Sequence, residues 1–214
     1  MTSRIRLGAL AWIATLQFFL VETFAGIHWH GYDFFADRIS DLGAGRSPFQ
    51  AWVDGSMLVQ GVLIAGGALL LRAAFPPGRL RDAGVALIVA NGLGVILVGL
   101  VPEDSNRALH DVGAALLFFS GNLGMLALGP ALLHADSKRR ALGAAAIAFA
   151  AIGALAGLLF TVRSVSAHAI GAFEHVTVDL LPLWLMMTGI ALLTSAPAAS
   201  IPTGSGARRR RDAR

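Results

Sequence analysis

The sequence contains no cysteine, which excludes disulfides, thiolate metal sites and a cysteine nucleophile. It has almost no lysine: Lys138 stands alone, while arginine, alanine and glycine abound, a bias that fits a high-GC bacterial genome. It is short of charge altogether. Charged residues are 14% of the 214, against about 25% in an ordinary soluble domain. Hydrophobic residues are 56%, and the mean hydropathy is +0.68. This leaves too little polar surface to coat a soluble globule. The net charge of +4 does not point to nucleic acid, because the basic residues sit in short clusters between apolar runs.

Those apolar runs dominate the chain. A membrane span needs about 20 mostly apolar residues. Six runs qualify or nearly so, at roughly 7–29, 57–75, 83–101, 112–134, 141–161 and 176–195. At this length the backbone must satisfy its own hydrogen bonds in lipid, so each run reads as a helix. The expected fold is an all-α, polytopic bundle of six spans within residues 1–195. The first run begins with Arg4 and Arg6, as a signal peptide would, but its apolar stretch is too long and is read as a span. Residues 196–214, rich in Pro, Ser and Gly and ending in an arginine run, read as a disordered cytoplasmic tail lying on anionic headgroups.

Alternate connections carry thirteen basic residues: Arg4 and Arg6; Arg72, Arg79 and Arg81; Lys138, Arg139 and Arg140; and Arg208–Arg211 with Arg214. The other three carry four: Arg38, Arg46, Arg107 and Arg163. The positive-inside rule places the richer side, and both termini, in the cytoplasm. The expected location is a cell membrane, crossed several times.

Histidines and acids gather on the opposite side. In the first outer connection, Phe35, Ile39 and Leu42 fall at i, i+4, i+7, and Asp33, Asp37 and Asp41 at i, i+4, i+8. That spacing predicts an amphipathic helix with a stacked acidic face, partly neutralised by Arg38. In the second, Asp104 or Ser105 reads as the N-cap of the fourth span, with Arg107 spaced to pair with Asp104 and Asp111, and His110 one turn inside. The last span opens with Glu174 and His175, and His175 shares a helix face with Asp179 at i, i+4. Glu22 and Asp179 sit among apolar residues, where a carboxylate requires a partner or water. Candidate pocket residues are therefore Glu22, Asp37, Asp41, Asp104, Arg107, His110, Asp111, Glu174, His175 and Asp179. Gly153 and Gly157 form a small-xxx-small pair suited to close helix packing within one molecule.

The Ile39-Ser40-Asp41-Leu42-Gly43 segment after the first span resembles the domain-of-unknown-function 998 membrane family, as does the Pro102-Glu103-Asp104…His110 segment before the fourth. The six-span layout and the Gly171…Glu174 start of the last span are similar as well. The resemblance covers roughly 7–195. It implies a six-span fold and no particular activity. In that family an arginine often follows the acidic or amide residue at the start of the last span; here that position is His175.

Three functions fit these residues. One is an integral membrane protein whose outer-side pocket, formed where the ends of spans four and six meet under the Asp33–Asp41 segment, contacts a lipid headgroup or small ligand. The second is a membrane-embedded hydrolase, with zinc held by His110, His175 and Asp179, aided by Asp41 or Asp104. The third is a small-solute or proton-coupled transporter titrating at Glu22 and Asp179.

Overall fold

Long stretches of Leu, Ala, Val and Gly with few polar interruptions favour continuous helices, and the computed structural model, whose described residues are 1–133, 136–162 and 166–194, has helices and no strand among them. Helices α1 (Ser3–Ala14) and α2 (Leu16–His28) together make the first span. The break between them lies at Thr15, fully buried, whose hydroxyl donates to the Trp12 carbonyl at 2.6 Å instead of leaving that carbonyl to the helix ladder. A four-residue helix α3 (Ile39–Leu42) follows, then α4 (Gln50–Leu71) with a 3₁₀ turn at Arg72–Ala74, α5 (Arg79–Leu100), α6 (Arg107–Leu133), α7 (Ser137–Thr161) and α8 (Ile170–Thr194).

Among the described residues, six helical stretches are long and apolar enough to cross a membrane, with mean hydropathies between 1.6 and 2.3. Only 33–50% of each most apolar window is buried inside the bundle. The remainder, including Leu20, Ile27, Val62, Leu100, Phe119 and Leu158, faces outward. A surface this apolar on every helix is stable against lipid and not against water, so the protein is an integral membrane protein.

The spans pack in chain order around a closed ring: α1 on α4, α4 on α5, α5 on α6, α6 on α7, α7 on α8, and α8 back on α1. At the α4–α5 crossing the backbones nearly touch. A Cβ on Gly92 would lie 2.6 Å from the Gly61 carbonyl oxygen, so only glycine fits there. Trp12 and Trp184, both fully buried and 6.0 Å apart, fill the core toward the arginine-rich end. Their indoles donate to the Ile64 and Leu142 carbonyls, which removes the penalty of burying an N–H.

Several helices start earlier than the apolar runs suggest: α4 at Gln50 rather than 57, α6 at Arg107 rather than 112, α8 at Ile170 rather than 176. The extra turns carry Asp54, His110, Asp111 and Glu174, polar residues that hydropathy trims away but that helices accommodate readily. Arg163 and the tail from residue 195 lie outside the described residues.

Candidate functional site

The 29–49 and 101–106 connections and the first turns of α8 meet at one end of the bundle, the acidic face. The 29–49 segment folds over it as a lid. The expected amphipathic helix with three stacked aspartates is not formed. The Asp33 carboxylate instead takes the Phe35 N–H at 2.8 Å, Asp37 takes the Asp33 N–H at 2.9 Å, and the chain turns. Short aspartate side chains compete for backbone donors in this way and disfavour helix. Phe35 is consequently exposed, and Phe34 turns inward against Gly26, its ring 5.7 Å from that of His175. Ile39 and Leu42 are buried, as their spacing suggests.

The lid is fastened by charge. Arg38 reaches Glu103 at 2.8 Å and Asp41 at 3.3 Å. Asp41 also receives Arg46 and, at 2.9 Å, the Arg38 backbone N–H. Glu103 also receives Arg107 at 2.6 Å and the Ser40 hydroxyl at 2.8 Å. Burial disfavours the Arg38 charge, but Asp41 and Glu103 outweigh it and raise its pKa above the ordinary arginine range. Burial likewise pushes the Asp41 carboxyl upward; the Arg38 N–H, the Arg38 guanidinium and Arg46 reverse that and hold it below its ordinary 3.8. Tyr32, whose hydroxyl donates to the Arg38 carbonyl, has its pKa raised by burial and by the surrounding carboxylates.

Backbone contacts complete the lid. Buried Glu174 accepts the Ile39 N–H at 2.6 Å, and the Ala172 N–H donates to the Phe35 carbonyl at 3.2 Å. Gly171 leaves room for the Asp37 carbonyl, which a Cβ would strike. Asp104 accepts the Gly45 N–H at 2.8 Å and makes no ion pair with Arg107. Asn106, not Asp104 or Ser105, caps α6, accepting the Leu109 N–H.

Beneath the lid lies a second cluster. His175 Nδ1 is 2.7 Å from Glu22 Oε1 and 3.3 Å from Asp179 Oδ2. The i, i+4 pairing of His175 with Asp179 is as the spacing suggests, and Glu22 joins them across the α2–α8 boundary. His110 does not: it is buried at the start of α6, its Nδ1 donating to the Val101 carbonyl at 2.8 Å, beside Ser40, Gly43 and Asp54. Asp54 is half-buried under Gly43.

A third feature was not legible in sequence. A cavity of about 290 Å³ lies between α6, α7 and α8. Its walls are mostly apolar, including Phe118, Phe119, Leu123 and Phe160, and Asp111 and Thr161 stand at its acidic-face end. Gly153 and Gly157 line it and pack closely against Asn122 and Thr177 of the same molecule, whose side chains an added Cβ would crowd. Arg107 Nε lies 3.9 Å from Asp111. Asn122, deep in α6, has a buried oxygen with no hydrogen-bond partner among the described residues.

Fold and site together define a polytopic helical membrane protein with a capped polar end. The chain belongs to the family described as "Protein of unknown function (DUF998)", whose sequence model matches residues 12–201. No curated protein and no solved structure matches it.

Proposed function

We propose that this protein binds an amino-phospholipid at its acidic face. The hydrocarbon chain enters the α6–α7–α8 cavity, the phosphate meets Arg107 and the amine meets Asp111. The cavity carries this reading. Phe119 and Leu123, two of its walls, are exposed on the outer surface of the bundle, where lipid lies. Its size is near the lower limit of about 300 Å³ for ligand pockets, suited to part of an acyl chain. A guanidinium and a carboxylate on adjacent turns offer complementary partners to a zwitterionic headgroup. Solute transport is less well supported, since Trp12, Trp184, Met125 and Leu128 fill the core toward the arginine-rich end. The basic clusters support a cytoplasmic arginine-rich end, hence an extracytoplasmic lid in a cell membrane.

The test is native mass spectrometry in detergent with added phosphatidylethanolamine and, separately, diacylglycerol. Wild-type protein should retain the phospholipid in preference to diacylglycerol. Ala154→Phe, which fills the cavity from an exposed position, should lose both, while Arg107→Gln should lose the preference. Undiminished binding to well-folded Ala154→Phe would overturn the assignment.

A further inference from the structure

The cluster between α2 and α8 is built unlike the lid. Glu22 and Asp179 face one imidazole nitrogen, Nδ1 of His175. That nitrogen carries at most one proton, so it cannot donate fully to both. No other cation pairs with either acid among the described residues, although the Glu22 side chain is only 4% exposed. Three buried atoms of the trio, Glu22 Oε2, His175 Nε2 and Asp179 Oδ1, have no hydrogen-bond partner among those residues. Even a protonated His175 compensates only one of the two carboxylates, and an uncompensated carboxylate is strongly disfavoured at membrane depth.

We propose that Glu22, His175 and Asp179 form a binding site for a divalent transition-metal cation, with zinc the best match to one imidazole and two carboxylates. One ligand atom from each residue lies within 4.8 Å of the other two. Ligand atoms held at about 2.0–2.1 Å around tetrahedral zinc stand roughly 3.3–3.4 Å apart. The 3.3 Å between His175 Nδ1 and Asp179 Oδ2 already has that spacing, and the 2.7 Å to Glu22 needs to open by roughly 0.6 Å. A divalent ion with two carboxylates and a neutral imidazole gives zero net charge, which the bilayer interior tolerates. Phe34 screens the trio from the lid side, its ring beside His175 and against Gly26. This ion would leave coordination positions for water or an external ligand, as three-ligand zinc sites do. The site is separate from the lipid cavity, so either proposal can fail alone.

Full-length protein purified in detergent and stripped with chelator should bind one equivalent of zinc and gain thermal stability from it. His28→Asn with His30→Asn, which removes two surface imidazoles, should bind as before. Glu22→Gln and Asp179→Asn should each weaken binding by at least about 100-fold, more than a lost outer-shell contact does. If those variants do not fold, zinc-edge absorption on the wild type decides, because the site supplies one imidazole and otherwise oxygen. Two or more imidazoles around the zinc, or no saturable binding, would overturn the proposal.

Discussion

Replacing Arg38 with Met should loosen the lid without unfolding the bundle. The Arg38 side chain is 23% exposed and makes two ion pairs, to Glu103 at 2.8 Å and Asp41 at 3.3 Å. A hydrogen bond to a charged group contributes about 1.5–3 kcal/mol, and breaking a fully buried pair costs about 3–5 kcal/mol. The upper range does not apply, because neither acid is orphaned. Asp41 keeps Arg46 and a backbone donor, and Glu103 keeps Arg107 and Ser40. About 2 kcal/mol of lid closure is therefore at stake, equivalent to a roughly 30-fold rise in the opening constant. Hydrogen exchange followed by mass spectrometry on peptides spanning 30–49 reads that constant directly. Arg46→Met and Arg107→Met are the controls. Their side chains are 64% and 65% exposed, so each pair is worth at most about 1 kcal/mol and exchange should rise no more than roughly fivefold. Equal exchange in Arg38→Met and Arg46→Met would show that burial does not set the strength of this network.

Two further outcomes are expected. The Asp41 carboxyl titrates below its ordinary 3.8 in the folded protein, so the unfolded state binds more protons in that range; its stabilisation is complete above that value and lost as pH falls through the depressed one. Asp41→Asn should therefore lower thermal stability at pH 7, with the difference from wild type closing below about pH 4; a gap unchanged down to about pH 3 would contradict the assignment. Reporter fusions after Gly78 should score cytoplasmic and fusions at Gly45 extracytoplasmic, and the reverse result would invert the proposed orientation.

The spans were legible because lipid imposes a length and a composition that no tertiary contact can override. The lid was not. The Phe35, Ile39, Leu42 spacing suits a helix, yet the inward aromatic is Phe34, and what admits it is the absence of a side chain on Gly26 in a different segment. Asp179 and His175 were legible as a pair because both lie on one helix. Glu22 was legible as a carboxylate needing a partner, but which partner depended on the ring closing α1 and α2 against α8. His110 shows the opposite failure: its type and depth match those of His175, but a carbonyl one connection away takes up its nitrogen. The cavity had no sequence signal beyond Gly153 and Gly157, since a pair of small residues brings helices together or leaves a gap according to what faces it.

The first turns of α8 bring these features together. Successive residues on a helix are separated by about 100° of rotation, so neighbours in sequence face different surroundings. Glu174 points to the lid and holds the Ile39 N–H. His175 points to α2 and Glu22, and Asp179, about 40° around from it, points the same way. Thr177 lies on another side and lines the cavity between α6 and α7. Pro182 follows directly. It has no N–H to give the Val178 carbonyl, so the helix ladder is interrupted just beyond Asp179. A proline at this point makes the segment before it the easiest part of α8 to tilt. Lid, Glu22–His175–Asp179 cluster and cavity are thus each built in part from six consecutive residues of one helix, although they share no side chain.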